Sequence, residues 1–327
     1  MEAHSFHQYS GNPVLSKIVL ASGLLLVLWN HFVIPVPITI QWIVFAVTIL
    51  IAGIPHGALD HTVAKQNSTL QNRSFSSIRF YFTYLSRMLL YGICWYFFPS
   101  FALLLFIVLS AFHFGETDLP LPFSVTKKST ILLQTNYGLL IVLVLLLTHS
   151  SEVLPILSII EKQNAAFLST LFKTENSVYL IFSVLCLLIV QFFRLQTKYT
   201  LAIEWHLNTL LRTIIILGII IYLPLPLAFA FYFGGWHSLQ SLENIRQHLS
   251  NSGTEIMTYP RLLQKCIPYS LIAFVGIGIL MILASYLKTE SVFLFFFFIG
   301  IAILTAPHLE VMSDMYQHLR KKDRIST

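Results

Sequence analysis

Apolar residues run through this chain in stretches of seventeen to twenty-one, separated by short polar or proline-rich breaks. A lipid hydrocarbon core of about 30 Å takes roughly 20 helical residues to cross. Ten runs fit that length: 16–36, 38–57, 79–98, 99–115, 129–149, 176–195, 207–223, 224–242, 268–287 and 291–310. Several are joined tightly at VPVP, FFPS and LPLPL, where proline suits a helix end because it cannot continue the hydrogen-bond ladder. Residues 150–175 read as an interfacial segment or as two short amphipathic helices. The first run is too long for a signal-peptide core and lacks a small-x-small cleavage site, so it reads as a retained span. No repeat or linker divides the chain. The expectation is an all-α polytopic membrane protein of about ten transmembrane helices, with residues 1–327 as a single integral membrane domain.

Composition agrees: 56% of the residues are hydrophobic and 10% charged, and mean hydropathy is +0.75. A soluble domain is about one quarter charged. The net charge of +6 reports on orientation rather than on nucleic acid, and no nucleic-acid binding is expected. With ten spans, fifteen of the 20 Lys and Arg fall on the side of the two termini. Three (Lys162, Lys173 and Lys288) fall on the other side, and Arg87 and Arg212 fall inside runs. Positive charge collects in cytoplasmic loops, so both termini are expected to be cytoplasmic. Cys94, Cys186 and Cys266 form no CxxC and cannot all pair, so a disulfide framework is not expected.

Four of the apolar runs end on a histidine: His56 in GIPHGALDH, His113 in LSAFHFGETD, His237 in FGGWHSLQSLEN and His308 in LTAPHLEVMSD. All are even-numbered runs, so all point the same way. Their imidazoles are expected at one depth near the cytoplasmic face. A single such histidine is more often a helix-end residue bonded to carbonyls. Four on one face point instead to a shared metal, because polar groups in spans are costly and imidazole is the commonest side-chain metal ligand. Acids follow closely: Asp60, Glu116 with Asp118, Glu243, and Glu310 with Asp314. These are candidates to accept ring N–H groups and fix the tautomer. An all-histidine set favours a borderline metal such as iron, zinc or copper. Gly57, Ala58, Gly115, Gly234 and Gly235 allow close backbone approach. Aromatic residues crowd the same places, and Phe112, Phe114, Tyr232, Phe233 and Trp236 are candidates to line a dry pocket for a long apolar substrate. His61, His206, His248 and His318 read as solvated, and His4, His7, His31 and His149 as surface residues.

The stretches PHGALDH at 55–61, FHFGETD at 112–118, YFGGWHS at 232–238 and APHLEV at 306–311 resemble, in order, motifs of the Brp/Blh family. Those proteins are membrane-embedded bacterial and archaeal β-carotene dioxygenases that form retinal. The resemblance spans essentially the whole chain; the first two motifs are specific and the last two weak alone. It implies an iron(II) centre, Fe(2+), held by histidines in the inner cell membrane. It also implies O₂ and β-carotene, or a related carotenoid, as substrates drawn from membrane lipid. A retinal-binding rhodopsin is a candidate recipient of the product. By motif, His56, His113 and His237 carry over as ligands. The family often has another histidine one turn after the WHS histidine, where this chain has Ser241. Either His308 is the fourth ligand or the position is open.

A polytopic metal or proton transporter with a histidine site is the competing reading. Transporters tend to show repeated halves, and none is visible here. The HxxxH and HxxHH clusters of membrane di-iron hydroxylases are also missing from the sequence.

Overall fold

The computed structural model describes residues 12–119, 121, 125, 127–160, 165–199, 203–250, 256–286 and 290–323. His4, His7, Lys162, Lys288 and Arg324 lie outside them. The described residues form helices and no strand, so the protein is an all-α polytopic membrane protein. Each of the ten apolar runs lies largely on helix among the described residues. Among the described residues, seven helices are long and apolar enough to cross a bilayer, including Ile38–Leu70, Pro99–Asp118, Lys127–Leu147 and Phe297–Arg320.

Local sequence sets the boundaries. Helix α1 (Pro13–Phe32) opens with Pro13, and the Asn12 side chain accepts from the Val14 and Leu15 N–H groups, which have no partner within the helix. The VPVP turn is stapled by Asn30, whose Oδ1 accepts from Val36 N–H at 2.8 Å. Gln41 of α2 (Ile38–Thr48) donates to the Val36 carbonyl at 2.8 Å from the other side. The chain then winds as a π-helix over Ile49–Gly53, continues as α3 (Ile54–Gly57) and leaves the apolar run as α4 (Asp60–Leu70). Helix α5 (Ser77–Phe97) turns at Phe98–Pro99 into α6 (Pro99–Asp118), and the Tyr91 hydroxyl closes that hairpin on the Ala102 carbonyl at 2.8 Å.

Helix α7 (Lys127–Leu147) packs on α6 with almost no gap. A Cβ on Gly115 would overlap the backbone carbonyl of Gln134, and one on Gly138 would overlap that of Ala111. Glycine is therefore required at both positions for the two backbones to touch. Two short helices follow, α8 (Ser150–Ile160) and α9 (Ala165–Leu171), in the segment expected to lie at an interface or fold as two short pieces. Beyond them come α10 (Thr174–Tyr199) and α11 (Ile203–Tyr222). His149 is not a surface residue. It is buried, its Nδ1 2.8 Å from the Leu145 carbonyl and its Nε2 2.7 Å from that of Leu223. It ties the end of α7 to the end of α11, satisfying carbonyls that a helix terminus leaves free.

Helix α12 (Leu225–Phe229) passes through a second π-helix, Ala230–His237, into α13 (Ser238–Ser250). Helices α14 (Tyr259–Tyr286) and α15 (Glu290–Asp323) complete the fold. At about 1.5 Å per residue, the 34 residues of α15 outrun a bilayer core. Its C-terminal part packs with α4 and α13 through Leu59, Val63, Ile245, Met312, Met315 and Leu319. Asn67 on the Val311 carbonyl and Asn244 on the Tyr316 hydroxyl add polar ties. These three segments form a helical platform beyond the apolar runs. His248 lies buried in this platform rather than solvated, because α13 turns it inward.

Candidate metal centre

The two π-helices deliver His56 and His237. A π turn adds a residue without breaking the helix and is frequent at functional sites. Ile54 N–H bonds the Ile49 carbonyl five residues back, and His56 follows two residues later. His237 is the last residue of the other π segment. Gly234 of the second π segment packs on Thr48, the last residue of α2 before the first, where a Cβ would meet Thr48 Cβ at 2.7 Å. His113 projects from α6 and His308 from α15, directly after Pro307.

All four imidazoles are buried and converge. Ring centroids lie 4.7 Å apart for His113 and His237, 4.8 Å for His113 and His308, 5.0 Å for His56 and His308, and 5.5 Å for His56 and His237. One ligand atom each from His56, His113 and His308 lie within 4.8 Å of one another. His237 joins through His113, Nε2 to Nε2 at 3.1 Å. The sequence motifs put His237 in the leading trio and left His308 open. The structure groups His308 with His56 and His113, and sets His237 against His113.

The residues fit a metal. Buried ring nitrogens on His113, His237 and His308 have no protein hydrogen-bond partner. Leaving such an atom unsatisfied costs about 1–3 kcal/mol, which coordination would offset at His308 Nε2; on His113 and His237 the unpartnered atom is Nδ1, and the two rings meet through Nε2. Nitrogens sharing one ion at roughly 2.1 Å lie about 3–4 Å apart; the His113–His237 pair at 3.1 Å meets that spacing, and the trio within 4.8 Å needs a small inward turn of its rings.

Of the acids singled out from the sequence, Asp60 bonds a ring nitrogen. Its Oδ1 accepts from His308 Nδ1 at 2.8 Å, while Oδ2 accepts from the Tyr84 hydroxyl at 2.7 Å. Its partner is thus His308 and not the neighbouring His56, whose Nδ1 lies 3.4 Å from the Ala52 carbonyl. The other acids are engaged elsewhere. Glu116 accepts from Ser313 at 3.1 Å, and Asp118 accepts from the Tyr232 hydroxyl at 2.8 Å. Glu310 pairs with Arg87. Glu243 holds Arg246, Gln247 and Tyr259. Ser241 lies fully buried on α13, one turn after His237.

Aromatic side chains flank the rings. Phe114 meets His237 at 4.7 Å and 62°, and Phe233 stacks on His237 at 6.0 Å and 21° while meeting His56 at 6.0 Å. From Phe233 a row continues through Phe229 and Phe45 to the half-exposed Trp42. Tyr232 packs edge-on to Phe114 at 5.1 Å. Trp236 is buried in the core under the Arg212 guanidinium, 5.9 Å from its ring. Phe112 is half-buried beside His113. Tyr84 and the two π turns were missed from sequence. Nothing in hydropathy marks an i→i+5 turn, which falls on ILIAG just before PHG and on AFYFGGWH.

The family profile described as β-carotene 15,15'-dioxygenase matches residues 47–316, which include all four histidines. A curated relative from uncultured marine bacterium 66A03, named β-carotene 15,15'-dioxygenase, is 27% identical over 280 residues, covering 85% of this chain and 94% of the relative. No solved structure matches the chain. A profile match over this much of the chain, with the clustered histidines inside it, shows that the chain belongs to the β-carotene 15,15'-dioxygenase family.

Proposed function

We propose that this protein cleaves β-carotene, or a closely related carotenoid, at its central double bond with O₂ to give retinal. The metal is iron(II), held by His56, His113, His237 and His308. The observation that carries the reading is the convergence of four buried imidazoles from four helices in a chain of this family. When bound, iron supplies the dioxygen chemistry that no side chain can perform.

The chain's own residues do the rest. His56, His113, His237 and His308 bind through neutral ring nitrogens. Asp60 holds the proton of His308 on Nδ1 and so leaves Nε2 free to ligate. Phe114 and Phe233 flank the rings and keep water out, and their faces suit a flat polyene. Tyr232 is committed to Asp118, which leaves it a wall rather than a donor. Phe112 and Trp236 extend that wall. Glu116, Asp118, Glu310 and Ser241 support the helices that carry the ligands. The chain works as one integral domain in the inner membrane with both termini cytoplasmic, and the carotenoid enters sideways from lipid.

The test is to express the chain in β-carotene-producing bacteria and separate extracted pigments by chromatography. Loss of carotene with appearance of retinal, abolished by His113→Ala, is the expected result. Unchanged carotene with iron-loaded protein would overturn the substrate. Unchanged carotene with no bound metal would favour the transporter reading.

A further inference from the structure

Tyr84 stands on α5, outside every motif, yet it is joined to the histidine cluster. Its hydroxyl donates to Asp60 Oδ2 at 2.7 Å, and Asp60 Oδ1 accepts from His308 Nδ1 at 2.8 Å. Both carboxylate oxygens are thereby used. The Asp60–His308 link spans 248 residues of chain and joins α4 to α15. The opposite ring nitrogen, His308 Nε2, is buried with no protein partner. One helical turn after Tyr84, Arg87 pairs with Glu310, two residues beyond His308. Helix α5 thus reaches α15 twice, through Asp60 at His308 itself and directly at Glu310.

An imidazole that donates from Nδ1 offers its lone pair at Nε2. A carboxylate with one oxygen already bonded can turn less freely to release that donor. We propose that Tyr84 is a positioning residue of the centre: through Asp60 it fixes both the tautomer and the aim of His308, so that Nε2 is the atom presented. This rests on the metal reading above. The alternative role is that Tyr84 merely ties α5 to α4. Such a tie would contribute to stability alone, with no dependence on whether His308 is present.

The test uses the full chain purified in detergent, stripped of metal and titrated with cobalt(II), whose visible bands report ligand geometry. Tyr84→Phe keeps the ring and removes the hydroxyl. The expected result is cobalt(II) binding weakened by roughly tenfold, in the range for loss of an outer hydrogen-bond partner, with shifted visible bands. In a His308→Ala background, Tyr84→Phe should add nothing further. Equal weakening in both backgrounds, or unchanged binding and spectrum, would overturn the proposal. Asp60→Asn, read in the same cycle, serves if Tyr84→Phe does not accumulate, and coupling to His308→Ala is again required. If the unaltered chain takes up no cobalt(II), the metal reading falls and this inference with it. If it does and the cycle shows no coupling, the inference alone falls.

Discussion

Two pairs of helices carry the four imidazoles, and they solve the problem of aim differently. His56 and His237 ride on segments that change their own winding, each by a π turn next to or through the histidine. His113 and His308 ride on helices wound as α throughout, and their aim is set from outside. For His113 the outside contact is the backbone of α7 against Gly115. For His308 it is Asp60, with Tyr84 behind it. The first pair meets through the small side of Gly234 on Thr48, and its rings lie nearly perpendicular at 88°. The contrast shows that a buried cluster can be assembled either by altering a helix internally or by bracing a regular one. The two routes should fail differently.

The largest effect should come from the rings themselves. His56→Ala and His113→Ala should each lower bound metal and retinal yield by more than the roughly 100-fold that losing an outer partner can cost. Elemental analysis beside pigment chromatography reads both. A large loss in one pair and none in the other would break the picture of a shared centre. Next comes the packing. Gly115→Ala drives a methyl into a backbone carbonyl that cannot yield, and should cost about 3 kcal/mol or prevent accumulation. Gly234→Ala meets Thr48 Cβ at 2.7 Å, a shallower overlap that no rotamer relieves, and should cost about 2 kcal/mol. Thermal melting in detergent orders the two, and the reverse order would undo the distinction between the pairs.

A smaller effect sharpens the ligand set. Ser241 is one turn after His237 and on its side of the helix. In a His308→Ala background, Ser241→His should return part of the lost metal, read by the same elemental analysis. No return would leave His308 without a substitute on α13. The smallest effect should be that of Glu310→Gln. Its pair with Arg87 is about half exposed, 44% and 51%, so its loss should cost no more than about 1 kcal/mol in melting and leave metal content intact.

Much of this was legible in the chain. Apolar length gave the helices, and histidines ending runs of one direction gave the cluster. Partners were not legible. Asp60 reads as a neighbour of His56, but a carboxylate one turn along a helix need not face the ring, and it bonds a histidine 248 positions away. His149 and His248 end or follow apolar runs just as the site histidines do, yet one binds carbonyls and the other sits in the platform. Hydropathy records that a polar group leaves a span, not what meets it. The π turns are invisible for a related reason: they alter the winding of a segment without altering its composition.

The platform built by α4, α13 and the end of α15 lies directly beyond the histidines, while the aromatic row leads from them to Trp42 on the outer surface. On the reading proposed above, a metal centre at that seam would border two solvents. An ion arrives hydrated and must shed water among polar side chains. Carotenoid and dioxygen both dissolve preferentially in oil. Supply of the catalyst and supply of the reactants can then run through separate doors, and a membrane crowded with carotenoid need not obstruct the loading of the site.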